Sequence, residues 1–155
     1  MARWPKLISA AAILGAHCTT VRAQETPNWL RDAIEPFSSA CIDTTVPTTA
    51  IEITRDELPG ALRGHYRRAA SAQYHRLTGS EPLYLLQATN PSREIRSACA
   101  VAVPNRRRLF IVYNAALQLE PRAVAAFGRT FNISADSVGD WIIVAISHHA
   151  ESRVH

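Results

Sequence analysis

The sequence lacks every common catalytic signature and is very poor in lysine. It contains no GxSxG turn, no P-loop, no HExxH or CxxC motif and no glycine-rich dinucleotide turn. Without these motifs there is no recognisable nucleophile, cofactor site or metal site, so we expect no cofactor and favour a protein that is not an enzyme. Lys6 is the only lysine, and we draw no functional conclusion from that.

Long apolar runs, internal repeats, low-complexity tracts and Gly/Ser linkers are also absent. The longest uncharged apolar stretch, residues 7–16, is about half of the ~20 residues that a membrane-spanning helix needs. We therefore expect no transmembrane segment in the mature protein. With no linker to divide it, the chain is expected to form one domain.

The N-terminus has the order of a secretory signal peptide. Arg3 and Lys6 precede the apolar stretch 7–16, a short polar segment follows, and Ala23 provides the small residue that signal peptidase accepts. We predict a signal peptide over residues 1–23 and one small exported domain over residues 24–155, in the periplasm or outside the cell. The alternative is an apolar N-terminal helix of the domain itself.

The cysteines agree with this cleavage point. The chain has three, Cys18, Cys41 and Cys99, and removal of the signal leaves a pair. In an oxidising compartment we expect a Cys41–Cys99 disulfide, which also leaves no thiolate for catalysis. Lipid attachment at Cys18 is the competing interpretation, but His17 stands where such a site requires a small residue.

Charge gives no sign of a nucleic-acid partner once the signal is removed. The full chain carries 17 Lys+Arg against 13 Asp+Glu. Arg3, Lys6 and Arg22 lie in the signal, which has no acid, so the mature chain keeps 14 basic and 13 acidic residues. A nearly neutral chain lacks the basic surface that nucleic-acid binding requires.

Apolar spacing and capping residues predict three helices. The first runs from Asn28 to about Ala40 with Pro36 inside it. The second begins at the capping box Thr54/Glu57 and ends near Gly79, and the third covers residues 120–131.

β-branched and apolar runs predict the strands, which short polar links separate. The short links favour antiparallel neighbours, because parallel crossovers need a dozen residues or more. We therefore expect an α+β fold in two layers, with a mainly antiparallel sheet of four to five strands and two to three helices on one face. The polar tail, residues 147–155, is expected to fray. The predicted strands are residues 48–54, 82–88, 95–103, 109–113 and 141–146.

Two groups of arginines are the candidate anion-binding residues, because guanidinium groups contact phosphate and carboxylate in bidentate fashion. The near-zero charge of the mature chain favours the simpler interpretation, a solvated turn and an exposed helix face. The candidates are Arg63, Arg67, Arg68, Arg106, Arg107 and Arg108.

Histidines supply the remaining candidates. His148 and His149 are weak candidates for metal ligands, but consecutive side chains of an extended chain point to opposite sides, so we expect no metal site. His65 and His75 fall at different angles of the predicted second helix, and core packing or solvent exposure accounts for them.

Taken together, the sequence favours a non-enzymatic exported module that binds an anionic envelope component or a partner protein. The alternative is a small exported hydrolase whose polar residues converge only in three dimensions. A deep pocket gathering His65, His75, Asp140 or Glu94 would favour that enzyme. An inhibitor or scaffold role is the third interpretation.

Overall fold

The computed structural model describes residues 25–79, 81–106 and 108–150. The signal peptide expected at 1–23, Arg107 and the end of the expected tail, 151–155, lie outside these residues. Among the described residues, no helix has the length and apolar character needed to cross a bilayer.

A six-stranded antiparallel sheet forms the centre of the domain, with strand order β1-β2-β3-β4-β6-β5. The α+β class and the antiparallel pairing are confirmed, whereas the sheet has one strand more than the upper limit of the expected four to five. The strands are β1 (Ile51–Ile53), β2 (Ser71–Leu77), β3 (Leu83–Thr89), β4 (Ile95–Pro104), β5 (Phe131–Val138) and β6 (Trp141–His149).

Three α-helices accompany the sheet: α1 (Asn28–Pro36), α2 (Leu109–Leu117) and α3 (Glu120–Phe127). The first helix continues as a π-helical segment, Phe37–Ile42, which begins directly after Pro36. Because proline cannot donate a backbone hydrogen bond, Pro36 is a local cause of this change from α-helical to π-helical geometry.

The long helix predicted from Thr54 to near Gly79 does not form. The capping box is present, with the Thr54 backbone N–H donating to Glu57 Oε2 at 2.7 Å, but it opens only a 3₁₀ turn, Arg55–Glu57. A second short turn, Gly60–Leu62, follows Pro59. Proline and glycine disfavour a continuous helix here, and residues 71–77 form β2 instead.

The run at 109–113, predicted to be a strand, belongs to α2. An unbroken apolar run fits a buried strand and a buried helix equally well, and periodicity cannot separate them. The sequence predicted no strand at β5. The predicted third helix extended to Phe131, the first residue of β5, whereas the observed helix ends at Phe127. Gly128, with φ of +73°, stops it there.

Apolar clusters cover both faces of the sheet. On one face, Val101 and Val144 pack with Phe37, Val112 and other residues of the α-helices and the π-helical segment. On the opposite face, Leu58 and Leu62, from the segment that holds the 3₁₀ turns, pack with strand residues that include Leu86 and Ile143. The expectation of two layers did not include this second covering segment.

The predicted disulfide is confirmed. It joins Cys41 of the π-helical segment to Cys99 of β4, residues 58 positions apart in sequence. It therefore fixes the helical layer to a central strand of the sheet. Ser147 to His149, which the sequence assigned to the polar tail, extend β6 instead of fraying.

Candidate functional site

An open pocket of about 600 Å³ lies where the helical layer leaves the sheet uncovered. Its floor comes from the start of β2, the end of β3, the start of β4 and the end of β6. Its walls include Cys41 and Thr44 after α1, and Phe127 and Thr130 at the end of α3. We call this concavity the polar pocket.

The strand register explains how the floor is built. One row of paired residues crosses β2, β3, β4 and β6. Ser71 pairs with Thr89, Thr89 pairs with Ser97, and Ser97 pairs with His148. One row closer to the core, Gln73 pairs with Gln87, and Gln87 pairs with Cys99. Because neighbouring strands lie about 4.8 Å apart, these side chains form two adjacent polar rows.

The same alternation that makes the core also makes the floor. In β3, Leu83 and Leu85 are buried under the helices, and the next two residues on the same face are Gln87 and Thr89. In β6, Ile146 is followed on this face by His148. Each strand therefore changes from apolar to polar at the point where helical cover ends.

The lining is rich in hydrogen-bonding groups and carries no carboxylate among the residues described. Its only cationic or titratable side chains there are Arg96, His148 and His149. The hydroxyl and amide groups are those of Thr44, Ser71, Thr89, Ser97, Thr130, Gln73 and Gln87.

Arg96 lies at an irregular step in the pairing of β4 with β6. The register shifts between Ile95 and Ser97, so Arg96 is left out of the ladder to β6. A bulge of this kind bends the strand and changes the direction of its side chains. The bulge places the permanently charged Arg96 at the border of the floor, whose two rows of side chains are neutral.

His148 is held against Phe127, with ring centres 4.4 Å apart and ring planes at 72°. Burial lowers the pKa of His148 below its usual 6.5, and repulsion from His149 lowers it further. At neutral pH its imidazole is therefore uncharged, and it accepts or donates a single hydrogen bond on each nitrogen.

The floor amides are free to bind a ligand. Within the described part of the chain, neither Gln73 nor Gln87 forms a side-chain hydrogen bond with protein. Each amide offers two donor hydrogens and one acceptor oxygen. Together with the hydroxyl row, they give the pocket a surface that can both donate and accept hydrogen bonds.

The arginines singled out from the sequence are partly engaged by the protein. Arg63 donates to the carbonyl oxygens of Leu58 and Asp56 at 3.0 and 2.9 Å. Arg106 and Arg108 both contact Glu81, at 3.2 and 3.3 Å. Arg67 and Arg68 are exposed. No hydrogen bond or ion pair joins the two groups within the described residues.

The candidate metal ligands and the candidate catalytic residues do not meet in the polar pocket. His148 and His149 border the polar pocket, but among the residues described no group of three His, Cys, Asp or Glu side chains is placed to hold a metal ion. Of the four residues that would mark an enzyme, none borders this pocket. They are His65, His75, Asp140 and Glu94.

His65 and Tyr66 lie together on the other side of the sheet, with ring centres 4.2 Å apart. Burial lowers the pKa of His65, and the negative charge of Asp136 partly opposes this. Burial raises the pKa of Tyr66 well above its usual 10. Both groups are therefore neutral at physiological pH, which suits a packing role.

Sequence reasoning identified His148 and His149 but missed the rest of the floor. The available signal was the change from apolar to polar at alternate positions of several strands, and it required the correct register to be recognised. No family model, curated protein or solved structure matches the chain.

Proposed function

We propose that this chain is an exported, disulfide-stapled binding module that holds a small anionic molecule in the polar pocket. The supporting observation is the lining: two rows of hydroxyl and amide side chains, with Arg96 at the border and no described carboxylate. Such a surface favours carboxylate or phosphate oxygens, since it offers donors and does not repel negative charge.

The dimensions fit a small ligand. Pockets that bind small molecules usually enclose roughly 300–1,000 Å³, and the polar pocket has about 600 Å³. A molecule bearing one acidic group and several hydroxyls, such as an acidic sugar of a cell envelope, matches both the volume and the chemistry.

Export is the second part of the proposal. The Cys41–Cys99 disulfide is compatible with an oxidising compartment, and cleavage after residue 23 would leave those two cysteines alone in the mature chain. The disulfide lies in the wall of the polar pocket, so its presence also fixes the shape of the site.

The test is an NMR titration of the exported form with glucuronate, with inorganic phosphate, and with glucose as the uncharged match. We expect glucuronate to shift the amide signals of Gln87, Ser97 and His148, and glucose to shift them much less. Gln87→Leu should weaken glucuronate binding about tenfold or more, because a donor is lost from a desolvated contact.

Gln118→Leu is the matched control, since Gln118 is exposed directly after α2 and does not border the polar pocket. It should leave the titration unchanged. Equal affinity for glucose and glucuronate, or full affinity in Gln87→Leu, would show that the polar pocket is not an anion site.

A further inference from the structure

The first turn of α2 exposes two consecutive large apolar side chains. Phe110 is 76% exposed and Ile111 is 48% exposed. The residues on either side pack inward: Leu109 contacts the core cluster of the helical face and Val112 is buried in it. The exposed apolar surface is therefore a feature of one helical turn.

The rest of the exposed side of α2 is polar. Asn114 lies one turn beyond Phe110 and Gln118 one turn beyond Asn114, and both are exposed. The helix thus presents an apolar tip at its start and a hydrophilic flank behind it. A partner lying along the whole helix would meet amides, whereas a surface touched by the tip alone would meet Phe110 and Ile111.

This tip is firmly attached to the domain. Arg108, directly before the helix, donates to Glu81 Oε2 at 3.3 Å, and its guanidinium carbon lies 3.9 Å from the centre of the Trp29 ring. Arg106 contacts the other oxygen of Glu81. These contacts fix the start of α2 to α1 and to the connection that leads into β3, so the apolar pair is held outward.

Positive charge accompanies the apolar pair. Two guanidinium groups share the single carboxylate of Glu81, so these three side chains together carry a net charge of +1, and the Arg106 side chain is 63% exposed. Apolar side chains flanked by arginine suit the boundary between anionic headgroups and acyl chains. A stable protein interface needs about 800 Å² from each partner, far more than two side chains provide.

We infer that the tip formed by Arg106, Arg108, Phe110 and Ile111 docks the domain on an anionic lipid surface. Phe110 and Ile111 enter the headgroup boundary, and Arg106 contacts lipid phosphate. This inference does not depend on any ligand of the polar pocket.

Docking at this tip leaves the polar pocket accessible. Arg96 and Ser97 at the start of β4 border the pocket, and the docking tip follows the end of the same ten-residue strand. The pocket lining reaches Cys99, and the rest of the strand, from Ala100 to Pro104, spans about 17 Å of extended chain. The pocket and the docking tip therefore lie toward opposite ends of β4.

The experiment is vesicle co-sedimentation of the protein in the form that its host exports. Vesicles of equal parts phosphatidylcholine and phosphatidylglycerol should bind the protein, and vesicles of phosphatidylcholine alone should bind it at least several-fold less. The double variant Phe110→Ser, Ile111→Ser should lower binding to the mixed vesicles by about tenfold or more. Arg106→Gln should lower it about fivefold.

Ile51→Ser is the matched control, because Ile51 has the same exposed fraction as Ile111, 48%, and lies on β1. It should bind vesicles as the unaltered protein does. Phe110→Trp provides a measurement that does not depend on removing apolar surface: its additional fluorescence should shift to the blue on addition of mixed vesicles.

Three results would overturn the inference. The first is unchanged sedimentation of the Phe110/Ile111 double variant. The second is the absence of a blue shift in Phe110→Trp. The third is a dimer in sedimentation velocity that dissociates on the double substitution, since that would assign the tip to a second copy of the chain.

Discussion

Two partly buried histidines couple the stability of this domain to pH. His148 packs on Phe127 beside the polar pocket, and His65 packs on Tyr66 on the other side of the sheet. In both cases burial is the main cause of a lowered pKa. The folded state therefore holds these imidazoles neutral at pH values where the unfolded chain would protonate them.

The sign of the effect follows from proton binding. As pH falls below about 6.5, the unfolded state takes up protons that the folded state does not, so the free energy of unfolding decreases. We expect it to fall progressively as the pH is lowered below about 6.5. The double variant His65→Gln, His148→Gln should show a flatter dependence in urea titrations over that range. A slope equal to that of the unaltered protein would contradict this account.

Gly139 occupies a tight turn whose backbone conformation favours glycine. It is the first of two residues in the β5–β6 hairpin and has φ of +57°, and an added Cβ would lie 3.2 Å from Ala61 Cβ. Gly139→Ala should lower the free energy of unfolding by about 1–2 kcal/mol, the cost of a left-handed conformation with a side chain. The measurement is a urea denaturation curve.

Gly60→Ala is the control for that substitution. No atom lies within 4 Å of a Cβ added at Gly60, and its φ is not in the left-handed region. It should change stability by no more than about 0.5 kcal/mol. Equal losses at the two positions would mean that turn geometry is not the cause.

Among the elements, the segment between β1 and β2 differs most from expectation. Instead of an exposed amphipathic helix it is an irregular cover over one face of the sheet, with Leu58 and Leu62 fully buried. The cover is part of the core even though it has little regular structure.

Leu62→Ala should therefore lower the free energy of unfolding by roughly 2–5 kcal/mol, because it opens a cavity against the sheet. Val46→Ala, at an exposed position before β1, should change it by less than about 0.5 kcal/mol. Thermal or urea denaturation measures both. A loss at Leu62 no larger than at Val46 would place this segment outside the core.

Element prediction succeeded where chemistry was local and failed where it was ambiguous. β3, β4 and β6 were recognised because turn residues such as Pro91 and Asn105 bound their apolar runs. α2 was assigned the wrong type because a continuous apolar run suits a strand and a helix equally well. β2 was assigned to a helix because Leu77 fits the helical spacing of Tyr66 and Ala70. The polar pocket was missed because its floor depends on the pairing register of strands that are far apart in the sequence.

At the level of the whole molecule, the disulfide joins the helical layer to the sheet. Replacing both Cys41 and Cys99 by serine should lower the free energy of unfolding by roughly 4 kcal/mol, as expected for a loop closed over 58 residues. Urea denaturation of the oxidised protein and of the variant measures the loss. A difference below about 1 kcal/mol would show that packing alone holds the layers together.

The mass of the exported form tests processing and oxidation together. We expect a chain that begins near Gln24 and gains the mass of two hydrogens on reduction. A chain that retains its first residues, or an oxidised form with no change on reduction, would contradict the export proposal. The readout is intact-mass spectrometry with and without reductant.

The polar pocket also makes the domain a good starting point for engineering new binders. Its floor residues stand on strands of one continuous sheet, and Ser71, Gln73 and Thr89 are exposed while Gln87 is half-buried, so these side chains can be exchanged without opening a cavity in the core. A library varying Ser71, Gln73, Gln87 and Thr89 would therefore present different binding surfaces on the same frame.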